Sequence, residues 1–302
     1  MRILITGASG LVGTAATDGL RVEGHTVGHF VRPGRAAGAG DVRWDPSAAT
    51  MDLAAMEGAD AILHLCGASI ADGRWTTERK RILRSSRLGP TRVLVDAMAK
   101  LERKPRVFLA ASATGYYGNR GDEVLTEASA NGSDFLSQLT RDWEAESTRA
   151  QSFGIRTVLL RFGVILSMRG GALPKMLTPF KFGLGGRLGS GRQWMSWVAM
   201  EDVVGAIGAA MADERFAGPV NVVAPNPVRN ADFTRGLASA VRRPALFPAP
   251  AFMLRLALGE IADELLLISQ RVVPEKLVAA GFKFRYADLE SALRAIVVEG
   301  KG

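Results

Sequence analysis

The chain has 302 residues, of which 47% are hydrophobic and 23% charged, and it contains 34 glycines. These proportions are typical of a folded globular protein and exclude a disordered or collagen-like chain. The length is enough for one large domain or two smaller ones. The net charge of +8 comes from 38 basic and 30 acidic residues, and no nucleic-acid-binding signature accompanies it. We therefore expect a small-molecule ligand and no nucleic-acid partner.

The cysteines, the histidines and the apolar runs exclude further classes. The single cysteine, Cys66, cannot form an internal disulfide or a Cys-rich metal site, and the three histidines lack metal-ligand spacing. No apolar run reaches the roughly 18–20 residues of a membrane span, and the best candidate, residues 245–258, is broken by prolines and Arg255. The N-terminal apolar stretch is too short for a secretory signal. We expect a cytoplasmic protein without a metal and without a membrane anchor.

Strand and helix patterns alternate from the first residue onward. Residues 2–6 form a short apolar strand that leads into glycines, and apolar residues then recur at helical spacing from Leu11 until Gly24. The same reasoning predicts a helix that Thr76 or Thr77 caps, a helix over 133–153, and strands over 26–31, 59–66, 107–111 and 156–161. Repeated units of this kind predict an α/β, Rossmann-type doubly wound parallel sheet with helices on both faces.

The pattern changes after Gly163, where glycines and prolines mark long irregular segments. They are interrupted by a predicted helix over 202–211 and a predicted strand over 220–224, and residues 232–298 are mostly helical. We therefore predict a nucleotide-binding core over residues 1–165, to which residues 200–224 return. Residues 166–199 and 225–302 would form a smaller, mostly helical substrate lobe.

A glycine-rich turn, Gly-Ala-Ser-Gly-Leu-Val-Gly, occupies residues 7–13, where the first strand becomes the first helix. In such a turn the first glycine permits the tight bend, the second lets the backbone approach a pyrophosphate, and the third lets the helix pack close to the sheet. Free N–H groups and the helix dipole then favour an anion. The predicted cofactor contacts in this turn are Gly7, Ser9, Gly10, Leu11, Val12 and Gly13.

The end of the second strand indicates which dinucleotide binds. A site for NAD needs a carboxylate there to bind the ribose diol, but this strand ends Phe-Val-Arg-Pro-Gly-Arg over residues 30–35, without an acid. A guanidinium suits the 2′-phosphate of NADP(H). We therefore predict NADP(H), bound by Arg32 with help from Arg35; the alternative is that Arg32 is a solvated strand-end residue.

Several further segments complete a resemblance that covers essentially the whole chain. They are Arg74-Trp75-Thr76, the Ser-Ser-Arg that ends at Arg87, residues 112–118 (Ser-Ala-Thr-Gly-Tyr-Tyr-Gly), residues 161–166, residues 189–194, residues 269–274 and Gly281-Phe282. Together with the glycine turn they resemble the extended short-chain dehydrogenase/reductase superfamily, and within it the epimerase-family branch of the NAD-dependent epimerase/dehydratase type.

The resemblance implies more cofactor contacts. Leu65, Cys66 and Gly67 stand where the family's fourth strand ends against the adenosine, which makes Cys66 a packing residue and not a nucleophile. Arg87 resembles a cofactor-contacting arginine of the family; the alternative is a solvated helix charge. Ile165 is expected near the nicotinamide, with a plain core residue as the alternative.

The chain departs from the family at the catalytic pair, Tyr-x-x-x-Lys, on the helix after the fifth strand. Residues 134–144 contain neither a tyrosine nor a lysine, and Asp134, Asp142 and Glu144 are expected to be surface or capping groups. What remains near the cofactor is the group Ser112, Tyr116 and Tyr117, which could bond a carbonyl oxygen or supply a phenol. The alternative is that both rings pack between the lobes and form a structural turn.

The substrate cannot be identified from the sequence. The family's Arg-Asp-Tyr/Phe-Ile-His-Val segment, whose arginine grips a nucleotide-sugar diphosphate, is replaced here by residues 195–200, Met-Ser-Trp-Val-Ala-Met. Arg192 and Lys175 are candidate substitutes for that arginine. Trp194 and Trp197 suggest an apolar ring-binding pocket, or aromatic core.

Two functions of different class therefore stay open. The first is an NADP(H)-dependent oxidoreductase or epimerase with an atypical active site, which acts on a carbonyl compound or a sugar. The second is a dinucleotide-binding regulatory or scaffold protein with little catalysis. The oligomeric state, monomer or homodimer, is open as well.

Overall fold

The computed structural model describes residues 1–298 and 300. Within these residues the chain forms fourteen strands, which are β1 Arg2–Thr6, β2 Thr26–Val31, β3 Val42–Asp45, β4 Thr50–Met51, β5 Ala61–His64, β6 Val107–Ala113, β7 Val124–Leu125, β8 Arg156–Phe162, β9 Val164–Leu166, β10 Trp194–Met195, β11 Trp197–Ala199, β12 Gly218–Val222, β13 Val228–Arg229 and β14 Arg271–Val272. No helix in this part of the chain is both long and apolar enough to cross a membrane.

The same residues form ten α-helices and four shorter helical turns. The α-helices are α1 Leu11–Val22, α2 Leu53–Met56, α3 Thr77–Lys100, α4 Phe135–Thr148, α5 Ala172–Lys181, α6 Met200–Ala212, α7 Asn230–Ala240, α8 Ala251–Leu258, α9 Glu275–Ala279 and α10 Leu289–Leu293. The shorter turns are the 3₁₀ segments Thr114–Tyr117 and Arg149–Phe153 and the π-helical segments Ala262–Leu266 and Arg294–Val298.

Eight strands form one sheet in the order β12-β8-β6-β5-β1-β2-β3-β4. Neighbouring strands pair in parallel throughout, except that β4 runs antiparallel to β3. The chain builds outward from β1 to one side through β2 and then to the other side through β5. A crevice therefore opens at the carboxyl ends of β1 and β5, where ligands bind in sheets of this topology. The predicted fold class is confirmed.

Both faces of the sheet are buried, and β1 shows why its sequence is continuously apolar. Ile3 and Ile5 point to one face and pack with residues of α1 and α6, whereas Leu4 points to the other face and packs with residues of α3. All three side chains have no exposed surface. A parallel sheet with helices on both faces requires such runs because neither face meets water.

A separate apolar cluster forms the core of the C-terminal part of the chain. Leu173 and Leu177 of α5 pack there with Phe233 and Leu237 of α7 and with the fully buried Trp197. Strand β12 lies beside β8 in the main sheet, so the chain returns to the sheet after α6. Residues 299 and 301–302 of the predicted lobe lie outside the described residues.

Several predicted boundaries shift. Helix α4 is shorter than the predicted 133–153 because the chain tightens into a 3₁₀ turn from Arg149 onward, and β5 covers only Ala61–His64 of the predicted 59–66. Strands β3 and β4 were not predicted, because two to four residues are too few to show a period. Of the two predicted caps of α3, Thr76 is the cap, and its Oγ1 accepts a hydrogen bond from the Arg79 N–H at 3.1 Å.

Candidate cofactor cleft and active site

The glycine turn between β1 and α1 depends on glycine at two positions. Gly7 has a φ of +66°, and a Cβ on it would lie 2.9 Å from the carbonyl oxygen of Leu65. A Cβ on Gly13 would lie 2.3 Å from the carbonyl oxygen of Gly7. Gly10 is the N-cap of α1 and supplies no side-chain oxygen to accept from the first-turn N–H groups. The turn therefore leaves a helix N-terminus available to an anion.

A cleft of about 590 Å³ opens beside this turn. Among the described residues that line it are two cations and no acid; the lining residues are Gly7, Ala8, Ser9, His29, Phe30, Val31, Arg32, Arg35, Trp44 and Cys66. Asp41, which does not line the cleft, accepts hydrogen bonds from the N–H groups of His29 at 2.7 Å and Gly38 at 2.8 Å. Because Asp41 is engaged in holding the loop after β2, the electrostatics of the cleft favour a phosphate over a ribose diol.

The segment after β5 forms the opposite wall of the cleft. Cys66 lines the cleft but is only 6% exposed, and burial raises the pKa of its thiol, so Cys66 is a packing residue. The N–H of Leu65 donates to Thr6 Oγ1 at 3.0 Å, and its side chain packs against the core. That Leu65 and Gly67 contact the adenosine stays a prediction.

Arg87 holds this segment in place. Its guanidinium donates to the carbonyl oxygen of Ala68 at 3.0 Å and of Leu83 at 3.1 Å, and it lies 5.2 Å from the ring of Trp143. A Cβ on Gly67 would lie 3.2 Å from the guanidinium carbon. Burial lowers the pKa of Arg87 to about 10, so it stays positive at neutral pH. The alternative of a solvated helix charge is therefore wrong, whereas its contact with a cofactor stays a prediction.

Three predicted contact residues also pack against the protein. Leu11, Val12 and Ile165 are partly buried against the core beneath the sheet, and Ile165 pairs with Val198 in the short β9–β11 sheet. A Cβ on Gly171 would lie 2.9 Å from the Leu11 side chain, so Leu11 lies against the start of α5. Packing and cofactor contact are compatible for these side chains, and the contact stays a prediction.

The candidate catalytic residues lie at the carboxyl end of β6, and two of them belong to one buried network. The Ser112 hydroxyl donates to Oε1 of Glu144 at 2.5 Å. Arg161 binds both oxygens of that carboxylate, through Nε and Nη2, at 2.8 Å each. Burial alone would lower the pKa of Arg161, but the paired Glu144 outweighs it and raises that pKa. Arg161 therefore keeps its positive charge although it is buried.

The two adjacent tyrosines have different surroundings. The Tyr117 hydroxyl donates to Asn221 Oδ1 at 2.6 Å and accepts from Arg161 Nη1 at 2.9 Å, and burial raises its pKa to about 12. Tyr116 is only partly buried, its ring lies 3.5 Å from the Arg161 guanidinium carbon, and its hydroxyl forms no hydrogen bond with any described residue. Of the candidate catalytic hydroxyls, that of Tyr116 is therefore the one not already bonded within the protein.

One expectation about acidic residues is wrong. Asp134 does cap α4, since its carboxylate accepts from the Ser137 N–H at 2.8 Å, and Asp142 pairs with Arg84 at the surface. Glu144, however, is neither a surface nor a capping group but the buried partner of Arg161. Arg161 itself was the signal, because a charged residue within an apolar strand needs a buried partner.

Helix α4 packs on the turn after β6 without an acid–base pair. A Cβ on Gly115 would lie 3.6 Å from Cβ of Leu136 and 3.9 Å from Oγ1 of Thr140. These two residues are one helical turn apart and present an aliphatic group and a hydroxyl, and the Thr140 hydroxyl donates to the Leu136 carbonyl oxygen at 2.7 Å. The packing face therefore lacks the phenol and the ammonium group of the family pattern.

A second cavity, of about 710 Å³, lies between the segment after β5 and the C-terminal helices. Of the two candidate substitutes for the family's diphosphate-binding arginine, Lys175 lines this cavity and Arg192 does not. Trp197 is buried in the core, and Trp194 lies between the guanidinium groups of Arg229 and Arg271, at 4.2 and 4.6 Å from its ring. Neither tryptophan lines the cavity.

The chain matches known proteins over its whole length. It is 45% identical over 291 residues to the epimerase family protein Mb2239 of Mycobacterium bovis, and the alignment covers 96% of each chain. The crystal structure of the human epimerase family protein SDR39U1 (isoform 2), solved with NADPH, superimposes with a TM-score of 0.89, 31% identity and 99% coverage of both chains. A nucleoside-diphosphate sugar epimerase from Corynebacterium glutamicum gives a TM-score of 0.81 and 36% identity over 98% of this chain and 58% of that one.

Two family models divide the chain near the boundary between sheet and lobe. Residues 249–296 match a domain of unknown function, DUF1731, and residues 3–223 match the NAD dependent epimerase/dehydratase family. The second match includes the glycine turn, the cleft and the Ser112–Tyr117 segment. The chain belongs to the NAD dependent epimerase/dehydratase family.

Proposed function

We propose that the chain binds NADP(H) in the cleft beside the glycine turn and uses it as an oxidoreductase or epimerase with an atypical active site. The observation that carries the proposal is that one cleft combines a glycine turn at a helix N-terminus with Arg32, Arg35 and no acid. The NADPH in the human SDR39U1 structure supports the choice of cofactor.

The residues present fit such a cofactor. The Gly7 turn and the first-turn N–H groups of α1 would bind the pyrophosphate, because Gly7 and the N-cap Gly10 carry no side chain that could cover the turn or cap the helix. Arg32 and Arg35, both exposed at the far end, would bind the 2′-phosphate through charge-assisted hydrogen bonds. Cys66, Phe30 and Trp44 supply apolar surface for the adenine.

The nicotinamide, when bound, supplies or accepts a hydride at a substrate carbon. The chain must then move a proton at the substrate oxygen, and the Tyr116 hydroxyl is the group we propose for this step. Arg161, 3.5 Å from the Tyr116 ring, would stabilise negative charge that develops on the phenol. Ser112 would act through Glu144, because its hydroxyl already donates to that carboxylate.

A titration with both cofactors tests the choice of dinucleotide. We expect NADPH to bind at least tenfold more tightly than NADH, which corresponds to about 1.4 kcal/mol and lies within the reach of one charge-assisted contact. The Arg32→Ala variant should lose this preference. Arg43→Ala is the matched control, since Arg43 is an exposed arginine on β3 that does not line the cleft. Equal affinities in the wild type, or an unchanged ratio in Arg32→Ala, would refute NADP(H) selectivity.

A second candidate is a dinucleotide-binding regulatory or scaffold protein. It is favoured by the bonded hydroxyls of Ser112 and Tyr117 and by the face of α4 that lacks an acid–base pair. A screen with NADPH over carbonyl and sugar substrates separates the two candidates. Turnover of any substrate supports the enzyme, and NADPH binding without turnover over a broad screen supports the regulatory protein.

A further inference from the structure

We propose that the 710 Å³ cavity binds a mainly hydrocarbon molecule and not a nucleoside diphosphate sugar. If the proposed function holds, on which this step rests, the substrate is an apolar carbonyl compound such as a long-chain or polycyclic aldehyde or ketone. The volume lies within the range of small-molecule sites, roughly 300–1,000 Å³. Aliphatic and aromatic side chains form most of the wall, and no acid is among the described residues that line it.

Two polar side chains of the wall, Asn230 and Arg74, are already bonded within the protein. A third, Thr234, offers a diphosphate only one neutral hydroxyl. Asn230 Oδ1 accepts from the Leu188 N–H at 2.8 Å, and its Nδ2 lies 3.3 Å from the Met195 sulfur. The Arg74 guanidinium donates to the carbonyl oxygens of Ala257, at 3.0 Å from Nε, and Leu256, at the end of α8. A diphosphate would therefore meet no unengaged arginine in the wall, and its desolvation would be uncompensated.

Among the described residues of the wall, the remaining cation is Lys175, which lies at the rim. The Lys175 ammonium is 3.8 Å from a carboxylate oxygen of Asp72, and both side chains are largely exposed. A single solvated ammonium at this distance from an acid suits a polar or carboxylate head group at the opening of the cavity. It does not replace the bidentate contact by which an arginine binds a diphosphate.

The opening of the cavity is itself apolar. Leu184 and Phe247 line the cavity and yet are 61% and 57% exposed. Further exposed apolar side chains lie close to them in the sequence or on α8, namely Phe182, Leu246, Phe252, Met253 and Leu256. Large apolar side chains left exposed beside a cavity are typical of a binding site, and a hydrocarbon ligand that enters the cavity would cover Leu184 and Phe247.

One short segment of the chain contributes to the walls of both the cavity and the cofactor cleft. Cys66 of this segment lines the cleft, whereas Ala71, Gly73 and Arg74, a few residues later, line the cavity. The same stretch of chain therefore contacts both sites. This shared segment supports a substrate site near the cofactor site.

Two variants with matched controls test the proposal, with cis-parinaric acid as a fluorescent hydrocarbon probe. Leu254→Asp places a carboxylate in the wall from α8, and Ala257→Asp places one on the same helix at an exposed position outside the wall. Met176→Trp fills the cavity from α5, and Thr178→Trp adds the same ring to that helix at an exposed position outside the wall. We expect the probe to bind the wild type and both controls equally and to bind the two wall variants at least tenfold more weakly.

Three outcomes would overturn the proposal. They are failure of the probe to bind the wild type, equal binding by the wall variants and their controls, and binding of UDP-glucose that the wall variants weaken. NADPH titration of the same proteins keeps the two proposals separate. If NADPH fails to bind the wild type, the proposed function is wrong, whereas the probe pattern alone decides the cavity. Unchanged NADPH affinity in the wall variants also shows that they fold.

Discussion

The cofactor cleft and the apolar cavity each receive residues from the segment after β5, but the cleft has polar and charged groups in its wall and the cavity is lined mainly by apolar ones. The cleft combines backbone N–H groups with Arg32 and Arg35, which are exposed and unpaired with any acid of its wall. The cavity is formed by aliphatic and aromatic side chains, and the polar groups of Asn230 and Arg74 in its wall are bonded internally. Anion binding needs unsatisfied donors, whereas hydrocarbon binding needs their absence. The two sites can therefore be disturbed independently.

The largest expected effect comes from breaking the buried Glu144–Arg161 pair, which lines neither site but stabilises the fold that holds both. Glu144→Ala leaves the Arg161 guanidinium buried without its carboxylate partner. We expect the free energy of unfolding to fall by about 3–5 kcal/mol, and both sites to be lost in one transition. Denaturant unfolding, followed in the presence of each ligand, measures this.

Asp142→Ala, two residues earlier on the same helix, is the control for this variant. Its carboxylate pairs with Arg84 and Arg141 at the surface, so the expected loss is below about 1 kcal/mol. An equal loss in the two variants would contradict the structural role of the buried pair.

The next effect should disturb the cleft alone. Gly10 has a φ of −80°, and a Cβ there would lie 3.2 Å from the Gly7 carbonyl oxygen, so Gly10→Val is tolerated by the backbone with a small shift. The added methyl groups would block the approach of a pyrophosphate to the turn. We expect NADPH affinity to fall more than tenfold, by over about 1.4 kcal/mol, with an unchanged circular dichroism spectrum and unchanged binding of cis-parinaric acid.

Gly13→Val provides the contrast, because a Cβ on Gly13 would lie 2.3 Å from the Gly7 carbonyl oxygen. That variant should lose stability as well as cofactor. If Gly10→Val keeps its NADPH affinity, the turn does not bind the pyrophosphate.

The smallest expected effect is a pH dependence of stability. It arises from Glu264, whose side chain contacts α4. Its carboxylate accepts from the Leu136 N–H at 2.9 Å, and burial, with Asp134 and Glu260 nearby, raises its pKa to about 7. Lys80 pairs with Glu260 at 2.6 Å. A raised pKa means that the folded chain holds the proton more tightly than the unfolded chain does. This contribution favours the folded state below about pH 4.5 and is lost as the pH rises through 7.

Glu264→Gln should therefore match the wild type near pH 5 and exceed its stability at pH 8. Because Glu264 is partly exposed, we expect the variant to gain about 1 kcal/mol or less in free energy of unfolding over the wild type at pH 8. The measurement is denaturant unfolding of both proteins at the two pH values. Glu290→Gln, which makes the same substitution at an exposed carboxylate on α10, is the control variant. A gain at pH 8 that equals the gain at pH 5 would contradict the raised pKa.

The features that the sequence alone predicted are those encoded by neighbouring residues. The turn at residues 7–13, the Thr76 cap and the apolar strand β1 each depend on side chains a few positions apart, so local rules of conformation and period find them. The absence of Tyr-x-x-x-Lys was also evident from the sequence, because the two residues of that pair stand four positions apart on one helix. Arg32 lines the cleft because it directly follows β2, and its contact with a cofactor stays a prediction.

What only the tertiary structure decided are contacts between distant segments. Glu144 was expected at the surface, and it is the rotation of α4 against the sheet that brings its carboxylate to Arg161. The 710 Å³ cavity combines the segment after β5 with α5, α7, α8 and the 262–266 turn, none of which shows a pocket by itself. Adjacent residues of a helix point about 100° apart around its axis. The sequence pattern does not determine the rotation of a helix about its axis more precisely than this angle. Which polar atoms are bonded and which are left for a ligand is therefore set by packing.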